Sequence, residues 1–336
     1  MEKVTIIIDV RDRFSLTTKC LETLFANTPS GHGYLVVLGG APEHLRKEWL
    51  ARFGGRARFI FQPEFLNQAQ ARNIGLRAAK TRLAVLMDND NFVRPGWLEP
   101  LIRCQKDTGS ALVVPVILET PMRIHTAGND LYVVQRHGKA WGHKILRFAK
   151  MHHHEGVNLK RQPTAYAELH CQLVEVEPTL RLRAYDEAIT EVGEVDQGMV
   201  YAKAGLPMWF EPESVVHYAF GSRMTADDIR LFVWRWDMRR VLAGYQHFER
   251  KWNMDITESG RFRDWLLRYN GQVGLFARAF PSETGLALDR AAGTVGKALE
   301  AFGETVARGW RAPGALARRL HGGLLGYNAW PGPVTD

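Results

Sequence analysis

Short apolar runs alternate with amphipathic stretches over the first 118 residues of the chain. Runs rich in Val, Ile, Leu and Phe predict buried strands at 4–10, 33–40, 57–62, 82–87 and 111–118. Apolar residues spaced for one helix face predict helices at 15–28, 42–55, 67–81 and 95–109. Repeated β-α units of this kind predict an α/β fold, with a Rossmann-like, mostly parallel sheet flanked by helices.

The pattern becomes less regular after residue 118. Residues 119–170 are rich in histidine, and strand signals return from about residue 171. From 223 to 336, helical stretches alternate with Gly and Pro breaks. We therefore predict a first domain over 1–222, with 1–118 and 119–222 as its two halves, followed by a helical C-terminal extension over 223–336.

Two aspartates, Asp88 and Asp90, directly follow the apolar run at 82–87. In open α/β sheets, ligands bind beyond the carboxyl ends of the strands, so this pair lies where a ligand is expected. Two buried carboxylates need a compensating charge, and oxygen ligands suit Mg²⁺ or Mn²⁺. An Asx-turn that closes the strand is the alternative for the tripeptide taken alone.

Five motifs occur in a fixed order along the chain. They read VTIIIDVRDR from residue 4, ARNIG from 71, DNDNFVRPGWL from 88, YDEAITEVGEVDQ from 185 and PESVVH from 212. Together they resemble the family 2 glycosyltransferases, which have the GT-A fold, over roughly residues 3–220. The resemblance implies transfer of a sugar from a nucleotide-sugar donor, with 1–118 as the donor-binding half and 119–222 as the acceptor side.

The resemblance also assigns roles to individual residues. It implies that the metal, Mn²⁺ or Mg²⁺, is held by Asp90, Asp88 and His217. It implies a donor site, most readily for a UDP- or GDP-sugar, that uses Asp88, Arg72 and Asn73. Asp9, a departure from the family pattern, is a further donor-binding candidate that replaces a missing base contact. The acceptor class stays open among a glycan, a lipid-linked molecule and a small molecule.

The catalytic base of an inverting transfer is expected from the acidic block GEVDQ. A carboxylate there takes the acceptor proton while the anomeric carbon is attacked from the opposite face. Aligned on Tyr185, the family pattern favours Glu194; aligned on Gly205, it favours Asp196. Both acids remain candidates, and the dipole of a helix N-terminus is the alternative explanation for either one.

The chain departs from the family pattern at the end of the second strand. Leu38 and Gly39 stand where the family usually has two aspartates, the first of which contacts the uracil ring. Asp9 stands where proline or threonine is usual. These departures keep a second reading open, a GT-A-like binding module without catalysis. A sugar nucleotidyltransferase is a lower alternative, because the loop after the first strand lacks the glycines that such enzymes need.

An aromatic and basic segment follows the motifs. Its residues Trp234, Arg235 and Trp236 are predicted to bind the acceptor, since Trp stacks on sugar rings and Arg clamps phosphates. Packing of the segment against the sheet is the alternative.

Charge and composition add further expectations. The formal net charge is +8, which alone supports no nucleic-acid role. The basic tail, with arginines such as Arg318 and Arg319, predicts peripheral contact with the inner face of a membrane. A helix packed on the first domain or in a homo-oligomer contact is the alternative. The first residues lack the layout of a signal peptide, so we expect a cytoplasmic protein. The three separated cysteines are expected to be buried thiols.

Overall fold

The computed structural model describes residues 2–120, 122–148, 154–219, 223–256, 266–267, 269 and 271–295. The chain divides into two compact units. The first comprises Met1–Met224 and Arg239–Ile256, and the second comprises Thr225–Met238 and Thr257–Asp336. A single boundary after residue 222 did not anticipate the return of 239–256 to the first unit.

The described helices and strands follow in chain order. The helices are α1 (Thr17–Asn27), α2 (Glu43–Phe53), α3 (Gln68–Ala78), α4 (Leu98–Thr108), α5 (Val176–Arg181), α6 (Gly193–Lys203), α7 (Ile229–Arg235) and α8 (Met238–Trp252). The strands are β1 (Val4–Asp9), β2 (Gly33–Gly39), β3 (Arg58–Gln62), β4 (Leu83–Asp88), β5 (Asn91–Val93), β6 (Leu112–Thr120), β7 (Arg123–Thr126), β8 (Asn129–Arg136), β9 (Lys139–Leu146), β10 (Gln162–Pro163), β11 (Cys171–Glu175), β12 (Met208–Tyr218) and β13 (Met254–Asp255).

A mixed sheet forms the centre of the first unit. Its strand order is β10-β12-β6-β11-β4-β1-β2-β3, with β5 beside β12 and β7 beside β6. Strands β4, β1, β2 and β3 are parallel, as the alternating pattern predicts. Strand β11 is antiparallel to both β4 and β6, so the sheet changes direction next to the end of β4.

Burial explains why the first strands read as unbroken apolar runs. Every residue of β1 and of β4 is buried, since the sheet is covered on both faces. Helix α3 packs especially closely on β1: a Cβ at Gly75 would lie 2.3 Å from Cγ2 of Ile7. Asn67 caps the start of α3, because its side chain accepts from the amide of Gln70 in a reciprocal capping box. These contacts fix α3 above the carboxyl ends of β1 and β4.

A smaller sheet with the order β13-β9-β8 completes the first unit, together with α8. The three cysteines are buried and free, as expected. Among the described residues, no helix combines the length and the hydropathy needed to cross a bilayer.

The described part of the second unit is helical. It contains α7, the helix Leu275–Ala279 and helical residues 283–295. Trp236 is fully buried there and stacks on Tyr269 with ring centroids 4.3 Å apart. The basic tail with Arg318 and Arg319 lies outside the described residues.

Candidate functional site

Two aspartates end neighbouring parallel strands and share one arginine. Asp9 on β1 and Asp88 on β4 stand opposite each other in the strand register. Arg72 of α3 donates from Nε to Oδ1 of Asp9 at 3.0 Å and from Nη2 to Oδ1 of Asp88 at 2.7 Å. Gln68 adds a bond of 2.7 Å to the same Asp88 oxygen. All of these side chains are buried, so the arrangement fixes both carboxylates.

Negative charge is in excess at these strand ends. Burial raises the pKa of Asp9 to about 7, although Arg72 opposes the shift. Burial also raises the pKa of Asp90 well above its usual value; the charge of Asp88 adds to the effect and Arg11 opposes it. Buried carboxylates with raised pKa values are the environment in which a bound cation is most stabilising.

His170 lies beside the two aspartates of the DND motif. One ligand atom from each of Asp88, Asp90 and His170 lies within 4.8 Å of the others. Oδ2 of Asp88 and Nδ1 of His170 are 3.9 Å apart, and both atoms are buried without a hydrogen-bond partner. Burial lowers the pKa of His170 well below its usual value, which keeps the imidazole neutral. Two carboxylates and a neutral imidazole fit Mn²⁺ or Mg²⁺.

The backbone of His170 explains its position. Its carbonyl oxygen accepts from the amide of Asp88 at 3.0 Å and from Nδ2 of Asn91 at 3.1 Å. The residue directly precedes β11, which runs antiparallel to β4. No motif in the sequence marked His170, since its proximity to Asp88 depends on this strand pairing.

The structure brings His170, and not His217, to the two aspartates. Successive residues of a strand point to opposite faces. On β12, the ring of Tyr218 lies 4.4 Å from that of His170, whereas His217 lines a separate cavity of about 270 Å³ that also contains Arg94 and His154. Among the described residues, the group that could hold a metal with the two aspartates contains His170, and a ligand role for His217 stays a prediction.

The other residues predicted to bind the donor have clear structural partners. Asp9 and Arg72 are joined to each other in the core, as described above. Asn73 donates to the carbonyl of Tyr185 at 3.0 Å and to Glu187 at 2.9 Å, and it lines a cavity of about 700 Å³ beside this loop. Direct donor contacts by Asp9, Arg72 and Asn73 stay predictions.

Helix α6 presents its two acids to different surroundings. Residues two positions apart on a helix lie on different faces, because each residue turns the helix by 100°. Glu194 pairs with Lys144 of β9. Asp196 binds two residues of α8, accepting from Nε1 of Trp252 at 2.7 Å and lying 2.8 Å from Nζ of Lys251.

The pKa shifts of the two acids also differ. Burial raises the pKa of Glu194, but the charge of Lys144, its hydrogen bond, a backbone hydrogen bond and the charge of Arg11 together outweigh burial, so the pKa is lowered. The charges of Asp90 and Asp88 raise the pKa of Arg11. Arg11 therefore interacts electrostatically with Glu194 and with two members of the group Asp88, Asp90 and His170. The pKa of Asp196 is raised, since burial outweighs its bonds to Lys251 and Trp252. Glu194, unlike Asp196, thus shares the charged neighbour Arg11 with Asp90.

The residues predicted to bind the acceptor belong to the second unit. Trp236 and Arg235 are buried, and Trp234 is half-buried. The ring of Trp236 contacts Phe232 as well as Tyr269, with centroids 6.2 Å apart in the first pair. Trp236 therefore packs inside this unit, and an acceptor role for the three residues stays a prediction.

The end of β2, where the family pattern has aspartates and this chain has Leu38 and Gly39, is closely packed. A Cβ at Gly39 would lie 2.5 Å from the carbonyl oxygen of Glu64 and from the amide nitrogen of Leu66. Gly40 has a φ of +63°, and a Cβ there would lie 2.3 Å from the ring of Phe65. The structure thus leaves no room for an aspartate at position 39.

Three comparisons with known proteins agree with this architecture. The family model for glycosyl transferase family 2 matches residues 5–178. The chain is 25% identical over 208 residues to the human protein named probable polypeptide N-acetylgalactosaminyltransferase 8, covering 58% of this chain and 30% of that protein. It superposes with a TM-score of 0.52 and 17% identity on a crystal structure of GalNAc-T7 with UDP, GalNAc and Mn²⁺, covering 80% of this chain and 55% of that one.

The extent of each match limits its meaning. The chain spans about a third of the human relative and about half of GalNAc-T7, and the structural match shows the GT-A fold alone. The family model covers more than half of the chain and contains the strand ends that carry Asp9, Asp88 and Asp90. The chain belongs to glycosyl transferase family 2.

Proposed function

We propose that the protein is a metal-dependent, inverting glycosyltransferase that uses a nucleoside diphosphate sugar. The observation that carries the proposal is the buried group of Asp88, Asp90 and His170 at the carboxyl end of β4. Oδ2 of Asp88 and Nδ1 of His170 have no hydrogen-bond partner. Leaving such groups buried and unpaired costs about 1–3 kcal/mol each, or more when charged, and a divalent cation removes that cost.

Asp88, Asp90 and His170 are the residues that would hold the ion, Mn²⁺ or Mg²⁺. When bound, the ion supplies positive charge to the diphosphate of the donor as the sugar leaves. Arg72 has a different role in this proposal. Bonded to both Asp9 and Asp88, it fixes the direction of the Asp88 carboxylate and offsets part of the buried negative charge.

Glu194 is the acid that takes the proton from the acceptor hydroxyl. Its lowered pKa keeps it ionised at neutral pH, as a base must be before the reaction. Lys144 holds the carboxylate in place, and the charge of Arg11 lowers the pKa values of both Glu194 and Asp90, which supports this assignment. Asp196 has no such role, because Trp252 and Lys251 bind it away from these groups.

The donor is proposed to be a UDP-sugar, with UDP-GalNAc as the first candidate. The GalNAc-T7 structure contains UDP and GalNAc, and the human relative is named for N-acetylgalactosaminyl transfer. A glycan, a lipid-linked molecule or a small hydroxyl compound is the proposed acceptor. We further propose action in the cytoplasm, at the inner face of a membrane contacted by the basic tail.

The test combines donor binding with product stereochemistry. The melting temperature of the full chain is measured with UDP-GalNAc, UDP-glucose or GDP-mannose, each with and without Mn²⁺. A UDP-sugar is expected to stabilise the chain only when Mn²⁺ is present, and the Asp90→Asn variant is expected to lose this effect. With a donor identified, ¹H NMR of early products from an acceptor panel gives the anomeric configuration.

The outcomes separate the alternatives. No stabilisation by any donor, with or without metal, would support the binding module without catalysis. Stabilisation that does not require the metal would reject the proposed role of Asp88, Asp90 and His170. Retention of the anomeric configuration would reject the inverting mechanism and the role of Glu194 as the base.

A further inference from the structure

A second group of potential metal ligands lies next to the first one. One ligand atom from each of His125, Glu168 and His170 lies within 4.8 Å of the others. His125 is on β7, and the other two residues precede β11. This set has two imidazoles and one carboxylate. The group of Asp88, Asp90 and His170, called the DND site below, has two carboxylates and one imidazole. Family 2 motifs did not mark any of these three residues.

The orientation of His125 fits metal binding. Its Nδ1 lies 3.0 Å from Oε2 of Glu119, whose side chain is only 5% exposed. A metal-binding histidine commonly bonds a carboxylate through its other ring nitrogen, which fixes both the tautomer and the ring. With Nδ1 turned to Glu119, Nε2 is the nitrogen that remains for a metal.

The surroundings of His170 support a metal site independently of His125. Its residue is 3% exposed, and its Nδ1 has no hydrogen-bond partner. Its ring lies 4.9 Å from the ring of His125, and Tyr218 packs against both rings at 4.4 and 5.2 Å. Tyr218 thus forms an aromatic wall that holds the two imidazoles close together while leaving a carboxylate, Glu168, on the partly exposed side.

The chemistry of this ligand set selects the metal. Two histidines and one glutamate, with a fourth position left for water, form a ligand set that binds Zn²⁺ in enzymes. Nitrogen ligands favour Zn²⁺ over Mn²⁺ in the order of divalent affinities. Tetrahedral ligands at about 2.1 Å from zinc lie about 3.4 Å apart. The ligand atoms lie within 4.8 Å of one another, so their separations need to shorten by roughly an ångström to bind zinc. Glu168 is partly exposed, and its side chain can move by this amount.

We propose that His125, Glu168 and His170 form a zinc site that shares His170 with the DND site, so that the two sites exclude each other. A neutral imidazole has one ring nitrogen with a free lone pair and one that carries a proton. Zinc bound through His170 therefore removes the third ligand from Asp88 and Asp90. Zinc is then an inhibitory ligand of the protein, acting at a site next to the donor metal.

Lys144 sets the strength of this site. Its Nζ is 3.8 Å from Oε1 of Glu168 and pairs more closely with Glu194. Zinc competes with Lys144 for Glu168 only, so the pair between Lys144 and Glu194 is retained. The zinc site itself does not depend on the proposed function, whereas its inhibitory effect rests on that function.

The first measurement is zinc binding to the untagged full chain without other divalent ions, by competition with a chromophoric chelator. His125→Ala and Glu168→Gln are each expected to weaken zinc binding at least tenfold, while Asp90→Asn retains it. His44→Ala removes an exposed imidazole on α2 and is the matched control. A variant with alanine in place of His152, His153 and His154 shows whether these three adjacent histidines bind the zinc. Loss of zinc binding in this variant overturns the proposal.

The second measurement follows Mn²⁺ by electron paramagnetic resonance, which detects free Mn²⁺ directly. One equivalent of zinc is expected to release Mn²⁺ from the wild-type chain but not from His125→Ala. Equal release from both proteins would mean that zinc competes at Asp88 and Asp90 alone, and would overturn the second site. No Mn²⁺ binding by the wild type would contradict the metal dependence in the proposed function, while the chelator result would still decide the zinc site.

Discussion

Helix α6 carries two acids, Glu194 and Asp196, whose surroundings differ. Glu194 faces Lys144 and belongs to the electrostatic network of Arg11 and the DND aspartates. Asp196 is fixed by Trp252 and Lys251 of α8, away from that network. The two acids are separated by roughly half a helical turn, so residues close together in a motif are not equivalent in the folded protein.

The partners explain the difference in chemical terms. Glu194 pairs with Lys144, and its pKa is lowered, so it is an ionised carboxylate at neutral pH. Asp196 binds an indole and an ammonium group together, and its pKa is raised by burial. The first arrangement suits proton transfer, and the second connects α6 to α8.

The largest expected effect on activity is at Asp90, which interacts electrostatically with Arg11, as Glu194 does. Asp90→Ala removes a proposed metal ligand, and transfer is expected to fall by on the order of a thousandfold, because such an ion contributes several kcal/mol to catalysis. Initial rates of nucleoside diphosphate release measure the loss. The melting temperature is expected to be unchanged or higher without metal, since a buried carboxylate with a raised pKa is removed. Full activity in this variant would refute the metal role.

The comparison is sharpest at the two acids themselves. Glu194→Gln is expected to lower kcat by roughly 10²–10⁴, the usual contribution of general base catalysis, with little change in the KM of the donor. The variant keeps an oxygen that accepts from Lys144, so its stability is expected to remain close to that of the wild type. Asp196→Asn is the matched control and is expected to retain kcat. The opposite ranking of kcat would exchange the two roles.

A smaller effect on stability is expected on the Asp196 side. Trp252→Phe removes the indole donor from a buried carboxylate, and the free energy of unfolding is expected to fall by about 1–3 kcal/mol. Denaturant titration measures this loss, and kcat of the folded variant is expected to stay unchanged. Trp209→Phe, at a half-buried tryptophan of β12, is the control for loss of ring area. Equal losses in the two variants would show that the bond to Asp196 contributes nothing.

The smallest effect is expected at Asp186, which also contacts α8. Burial raises its pKa, but bonds to Lys251 and to the amide of Ala188, together with His247, leave it below the usual value. A lowered pKa in the folded state stabilises the protein above the ordinary carboxyl pKa, and this contribution is lost as the pH falls below about 4. Asp186→Asn is expected to cost roughly 0.5–1 kcal/mol at pH 7, and the difference from the wild type is expected to shrink as the pH falls through the lowered carboxyl pKa. A difference independent of pH would contradict the electrostatic explanation.

The sequence predicted the fold well where local patterns decide it. Strands β1 and β4 are mainly apolar, because both faces are covered, and the capping residues of α3 are visible in the chain itself. The position of Asp88 and Asp90 at a ligand-binding edge followed from the same pattern. These features depend on neighbours in sequence or on the general rules of parallel sheets.

The rest of the site depends on contacts between distant segments. His170 comes to Asp88 through an antiparallel strand pairing, and the orientation of His217 depends on the register of β12. The choice between Glu194 and Asp196 required the helical phase of α6, which an alignment ambiguous by one residue does not provide. The return of α8 to the first unit was likewise invisible in composition.

That return decides where the protein tolerates shortening. A chain that ends at residue 222 would lack Trp252 and Lys251 for Asp196, and β9 would lose its neighbour β13. A chain that ends at residue 256 would keep both. The first unit is therefore discontinuous in sequence, and a fragment designed from the family motifs alone would omit the segment that supports α6.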